Sequence, residues 1–346
     1  MIIPFRRNQG PRGGIMNRSD APRVLVTHQV GPPRRAQLTS LFTGRARLCF
    51  LADMPAEERE RELTDADVLM TWNLARELKP PEFGMLGKLR MIQLLSAGAD
   101  HLPFRELPAG AVIASNVGAY AEPMAEHVLA MTLALAKNLF PEHLKLARGE
   151  FDQARLNSLL QGSTCGILGF GGIGMASARL MRCLGVRIYA VNTSGRTGEP
   201  VSFIGTLRDL RQVLAVSDIL VVSLPLTKAT RGLIGKRELE VMKPGAILIN
   251  VARGDIVDEK ALYEHCLAHP EFRAGIDAWW NEPLGRNGLF RARFPFFTLP
   301  NVIGSPHNSA MVPGINEKGT KLAAENAKRF LAGQPVTGLV RREDYI

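Results

Sequence analysis

The sequence predicts an α/β protein of two doubly wound parallel-sheet domains, and three observations lead there. From residue 23 to residue 304, short and nearly all-apolar runs alternate with stretches of helical periodicity. Runs of that kind suit strands covered on both faces, and a βαβα rhythm suits a parallel sheet. A long stretch at 122–148 with a wide apolar face divides the rhythm into two series. The 346 residues are enough for two domains.

The elements follow in order. Residues 1–22 are rich in Gly, Pro, Arg and Asn and show no periodicity, so a disordered tail is expected there. The tail lacks the apolar core of a signal peptide. Strands are expected at 23–27, 48–51, 68–71, 90–95 and 112–115, with helices at 33–43 and 56–63. Residues 122–148 read as one long helix whose apolar face includes Met124, Val128, Met131 and Leu135. That face suits packing on its own domain or against a second copy of the chain, and a homodimer is expected. The second series has strands at 164–168, 186–191, 218–223, 246–250, 274–277 and 302–304. Its helices are expected at 172–184, 207–216, 236–241 and 259–267. A last helix, 313–331, ends at Gly333. The C-terminal stretch is too short for a core of its own. The expected organisation is therefore a first domain at 23–118, a second inserted at 119–304, and a return to the first at 305–346.

Charge and composition narrow the function. The net charge is +10, and the arginine-rich first 23 residues hold +4 of it. The remaining basic residues are scattered rather than striped, which argues against nucleic acid and suits small anionic ligands. No apolar run reaches the ~18 residues of a membrane span, so a cytoplasmic protein is expected. Cys49, Cys165, Cys183 and Cys266 form no CxxC pair and have no histidine at zinc-ligand spacing. Reduced structural thiols and no metal site are expected.

The first chemical signal is a glycine-rich loop. Gly169, Gly171 and Gly174 form G-x-G-x-x-G, with Phe170, Gly172 and Ile173 between them. The pattern alone is weak, but an apolar strand precedes it and an Ala-rich helix follows. In that setting Gly169 allows the tight turn, Gly171 the approach of a pyrophosphate, and Gly174 helix–strand packing. The helix N-terminus offers amide donors to the phosphates. This is the Rossmann arrangement for a nicotinamide dinucleotide. Eighteen residues beyond Gly174 the next strand ends at Asn192, where an acid would bind ribose hydroxyls. The segment reads Asn192, Thr193, Ser194, Gly195, Arg196. Asn192 does not repel a 2′-phosphate, and Ser194 and Arg196 can bind one, so the balance favours NADP over NAD.

Three ionisable residues lie downstream near expected strand ends: Arg253 in NVARGD, Glu282 in DAWWNEP and His307 in SPHNSA. Singly, each has an ordinary structural explanation. Together they supply what hydride transfer to a 2-oxo acid requires. A guanidinium grips the carboxylate and polarises the carbonyl. A histidine exchanges a proton near neutral pH. A carboxylate orients that histidine and favours its protonated form.

With these residues, the chain resembles the D-isomer-specific 2-hydroxyacid dehydrogenases across roughly 68–332, through GILGFGGIG, PLTKATRGLIG, MKPGAILINVARGDIVDEKAL, GIDAWWNEP and SPHNSA. The resemblance implies that Arg253 binds substrate and that Glu282 pairs with His307. It implies that Asp277 binds the nicotinamide carboxamide, and that backbone amides of Ala97, Gly98 and Ala99 bind the substrate carboxylate. It places Met124, Leu224, Pro225, Thr230, Val251 and Ala252 along the cofactor cleft, together with Arg253 and His307. In that scheme protonated His307 donates to the substrate oxygen and Arg253 holds the carboxylate and developing alkoxide. Glu282 stands where formate dehydrogenases carry Gln, and the loop near Ala97 lacks the lysine of phosphite dehydrogenases. Glyoxylate or hydroxypyruvate reductases fit best. The rival of another class is a non-catalytic, nucleotide-sensing protein like the corepressors that reuse this fold. Trp279 and Trp280 are expected in core or interface packing rather than substrate contact.

Overall fold

The computed structural model describes residues 21–283 and 288–346. The expected tail therefore falls almost wholly outside the described residues.

The first series gives β1 (Arg23–Val26), α1 (Pro32–Phe42), β2 (Arg47–Phe50), α2 (Ala56–Thr64), β3 (Val68–Thr71), α3 (Leu74–Glu77), β4 (Met91–Leu94) and β5 (Val112–Ala114). These strands form a parallel sheet in the order β2-β1-β3-β4-β5. β3 and β4 are buried at every residue, which explains why their runs are nearly all apolar.

Next come α4 (Ala121–Ala136) and α5 (Leu139–Ala147), then β6 (Thr164–Leu168), α6 (Gly172–Cys183), β7 (Arg187–Val191), β8 (Phe203–Gly205), α7 (Leu210–Val216) and β9 (Ile219–Val222). The series ends with α8 (Lys236–Val241), β10 (Ile247–Asn250), α9 (Glu259–Ala268), β11 (Arg273–Ile276) and β12 (Val302–Gly304). Its seven strands are all parallel, in the order β12-β11-β10-β9-β6-β7-β8. This is the Rossmann order, and the first sheet has the flavodoxin-like one. Each has a point where strand order reverses, between β6 and β9 and between β1 and β3.

The last helix, α10 (Ile315–Leu331), packs on the first sheet. Its Ala323, Ala324 and Ala327 are buried in one cluster with Val24, Val26, Met70 and Met91. Asn326 of α10 donates to the buried Gln93 of β4 at 2.7 Å, so even the polar contact there is satisfied.

Four expectations need correction. The stretch 122–148 is two helices, because Asn138 breaks it with φ 49° and ψ 32°. Asn tolerates this left-handed conformation better than most residues, and its side-chain oxygen accepts from Arg155. β8 was not anticipated: it is a three-residue edge strand, partly exposed, with too short an apolar run to stand out. The segment 207–216 opens with a 3₁₀ turn at Leu207–Asp209, capped by Thr206, before α7 begins. The last helix starts at Ile315, since Gly314 is left-handed at φ 76°.

Candidate active site

The strand ends assemble the site. Gly169 follows β6, Arg253 follows β10, Asp277 follows β11 and His307 lies three residues beyond β12. All four leave the carboxyl edge of one sheet, where open α/β sheets bind ligands. From the other sheet, the loop after β4, which carries Ala97, Gly98 and Ala99, brings Gly98 to Arg253. A Cβ added at Gly98 would lie 2.5 Å from Nη2 of Arg253, so only glycine leaves that approach open.

His307 and Glu282 meet. Nδ1 of His307 lies 2.7 and 2.8 Å from the two Glu282 oxygens. The backbone N–H of Trp279 donates to the same carboxylate at 3.0 Å. Burial works against ionisation of Glu282, but the His307 contact, the Trp279 N–H and the Arg253 charge hold its carboxyl below the ordinary value. With Nδ1 bonded to Glu282, Nε2 is the nitrogen left for proton exchange. His307 has φ 50°, a costly conformation for a non-glycine residue.

Asp277 helps to hold that turn. It is fully buried and accepts from the Ser305 hydroxyl at 2.6 Å and the backbone N–H groups of Asn308 and Ser309 at 3.1 and 3.4 Å. Its backbone carbonyl accepts from His307 N–H at 3.0 Å. Nε2 of His127, on α4, reaches Ser305 at 2.9 Å. Residue patterns alone had not singled out His127 or Ser305, because both act through a turn that joins distant segments. Gly254 permits the close approach behind Arg253: a Cβ there would meet the Trp279 carbonyl carbon at 2.5 Å. Trp279 is buried among Phe290, Phe296 and Phe297, and Trp280 stacks on Phe296.

The glycine loop fits a dinucleotide. Gly169 has φ 97°, and a Cβ on it would lie 2.7 Å from the backbone of Ser223 and Leu224. A Cβ on Gly174 would lie 2.4 Å from the Gly169 carbonyl oxygen. At Gly171 a Cβ would meet nothing within 4 Å, which leaves open space in front of the α6 N-terminus. No side chain caps that terminus, so its amides remain to serve a phosphate. Phe170 is buried, its N–H bonded to Val191, while Gly172 abuts Gly118. Ile173 packs against the same cluster that buries Met124 and Val251.

Other predicted positions divide. Thr230 is buried and donates to the Pro225 carbonyl at 2.7 Å, so its hydroxyl shapes the turn after Leu224. Ala252 is buried, and its carbonyl accepts from Arg253 Nη1. At the end of β7, the Asn192 oxygen accepts from the N–H groups of Ser194 and Gly195 at 3.1 and 2.7 Å. Thr193, Ser194 and Arg196 are exposed on that turn. Among the described residues no cluster of three or more metal-ligating side chains occurs, and no helix is long and apolar enough to cross a membrane.

Comparison with known proteins identifies the family. The profile for "D-isomer specific 2-hydroxyacid dehydrogenase, NAD binding domain" matches residues 129–309. The glyoxylate reductase of Aeropyrum pernix is 30% identical over 331 residues, covering 93% of this chain and 96% of that one. The D-3-phosphoglycerate dehydrogenase of Methanocaldococcus jannaschii is 29% identical over 82% of this chain, which spans only 53% of that protein. A D-isomer specific 2-hydroxyacid dehydrogenase family protein of Aeromonas salmonicida superposes with a TM-score of 0.75 at 27% identity, covering 93% of this chain and all of that one. The chain belongs to the D-isomer specific 2-hydroxyacid dehydrogenases, oxidoreductases that act on the CH–OH group of 2-hydroxy acids.

Proposed function

We propose that this protein reduces a small 2-oxo acid of the glyoxylate or hydroxypyruvate type, with NADPH preferred to NADH. The observation that carries the reading is the His307–Glu282 pair at 2.7 Å, held on the same sheet edge as Arg253. The bound nicotinamide supplies the hydride. Arg253 binds the carboxylate and stabilises the developing alkoxide, and the 97–99 amides hold the carboxylate from the other side. His307 donates the proton held at Nε2 to the carbonyl oxygen. Glu282 keeps the imidazole oriented through its contact with Nδ1. Asp277 fastens the turn that carries His307. The NADPH preference rests on Asn192 in place of an acid and on the exposed Ser194 and Arg196.

Glyoxylate, hydroxypyruvate, pyruvate and phenylpyruvate, each with NADPH and NADH, test the reading through loss of reduced-nicotinamide absorbance. Turnover of the two smaller polar acids is expected, faster with NADPH. No turnover of any of the four would overturn the reading in favour of a nucleotide sensor. We further read the molecule as a homodimer. Leu139, Phe140, Leu146, Phe151, Leu156 and Leu159 are all exposed on and after α5, an apolar concentration that monomers rarely present. A monomeric mass by light scattering would refute this.

A further inference from the structure

The loop after β4 brings a side chain to the site as well as backbone. Asp100 accepts from Nε of Arg253 at 3.1 and 3.2 Å. The two residues stand on loops of different sheets. Their side chains are only 21% and 30% exposed, so water screens the pair less than it would on open surface. Nη1 of Arg253 donates to the Ala252 carbonyl at 2.8 Å. A guanidinium carries five N–H donors in a rigid plane. Two are thus engaged, one on Nε and one on Nη1, and together they hold the plane. Among the described residues, the donors left on Nη1 and Nη2 have no protein partner. The missing side chain of Gly98 keeps space beside them: a Cβ there would sit 2.5 Å from Nη2 and 2.8 Å from the Asp100 oxygen.

We propose that Asp100 is a positioning residue for the 2-oxo acid: it anchors Nε of Arg253 so that the Nη edge, beside the 97–99 loop, receives the substrate carboxylate. The proposal rests on the reading of Arg253 as the substrate's cation. A free arginine side chain samples many rotamers and must lose that freedom on binding. Asp100 removes it beforehand, and the substrate then meets a guanidinium already aimed. The Asp100 charge also repels the incoming carboxylate. That cost is reduced because Asp100 occupies the Nε side and leaves the Nη edge to the ligand. The ion pair also joins the two sheets across the cleft, so its effect is felt where substrate from one side meets cofactor from the other.

The test uses the protein saturated with reduced cofactor and titrated with oxamate, which has the shape of a 2-oxo acid but is not reduced. Asp100→Ala is expected to weaken oxamate about tenfold, as fits losing one hydrogen bond to a charged group. Asp100→Asn, which keeps an acceptor for Nε, is expected to recover most of that loss. Cofactor affinity stays unchanged in both, which shows that the variants are folded. In an Arg253→Lys background, Asp100→Ala is expected to change oxamate affinity less than about twofold, because its route of action is gone. If Arg253→Lys alone binds oxamate normally, the reading of Arg253 fails, and the role of Asp100 with it. If Arg253→Lys is weakened but Asp100→Ala binds normally, or loses as much in the lysine background as alone, only the Asp100 proposal is overturned.

Discussion

The two sheets contribute to the cleft in different ways. The seven-stranded sheet offers reactive side chains, each on a loop directly beyond a strand: Arg253, Glu282 and His307. The five-stranded sheet offers mostly backbone, at Ala97, Gly98 and Ala99, with Asp100 reaching across to steady a residue of the other sheet. The bonds behind these parts differ as well. The His307 turn is tied by Ser305 and by side chains from distant segments, Asp277 and His127, whereas the 97–99 loop is held by local contacts, from Ser96 Oγ to the Gly98 carbonyl at 2.8 Å and from Leu102 N–H to the Ala99 carbonyl at 3.1 Å. The contrast implies a division of labour. Changes on the large sheet should reach the chemical step, and changes on the small one should reach substrate affinity.

The largest expected effect breaks the large-sheet side. His307→Ala should lower kcat by about 10²–10⁴, the usual worth of a positioned acid–base group. Cofactor affinity, measured by nicotinamide fluorescence, should not change. Near-normal kcat in this variant would remove His307 from the chemistry and dissolve the contrast.

Why the large sheet was the more legible in sequence has a physical basis. Its chemistry sits where a fully buried apolar strand stops, and a fully buried strand announces its own end. β10 is buried at all four residues, and Arg253 follows within three. G-x-G-x-x-G is legible because each glycine answers a local steric demand, as Gly169 does against Leu224. Asp100 was hidden for the opposite reason. An acid on a loop looks solvated until the arginine 153 positions away is brought to it. The Asn138 break was hidden because left-handed Asn leaves the apolar periodicity on either side intact. The part played by Asp277 in holding the His307 turn likewise required the fold, since its donors come from residues 28–32 positions downstream.

A smaller effect should break the small-sheet side. Gly98→Ala places a methyl 2.5 Å from Nη2 of Arg253. The flexible end of that side chain can yield, so the protein should fold, but the guanidinium would leave its aimed position. KM for the 2-oxo acid should rise about tenfold, with kcat changing less, since misplacement by an ångström costs up to ~10². A fall in kcat at constant KM would reverse the division proposed between the sheets.

The cofactor side sharpens the comparison within the large sheet. Arg196 is exposed on the turn after β7, far along the sheet from His307. Arg196→Ala should shift NADPH-over-NADH selectivity by about tenfold or less, as expected of one exposed cation on a phosphate. Turnover with NADH should stay level. Selectivity unchanged within error would return Arg196 to an ordinary turn residue.

The smallest effect concerns stability, and it too should fall unevenly. His28 and His101, both on the small-sheet side, have pKa values lowered from 6.5, chiefly by burial. His265, on α9, is lowered by burial and by the neighbouring His269. A histidine whose folded pKa lies below its unfolded value contributes its full stability above the unfolded pKa. That contribution is lost as pH falls through the folded pKa, because the unfolded chain takes up the proton first. The melting temperature should therefore be level above about pH 6.5 and decline below it, by roughly 2–4 °C for each kcal/mol lost. Replacing His28 and His101 together with Gln should flatten the decline more than replacing His265 alone. A decline of equal steepness in the double variant would place the acid-sensitive groups elsewhere, among carboxylates such as Glu82, which Arg59 and the Lys79 N–H hold below its ordinary pKa despite the opposing effect of burial.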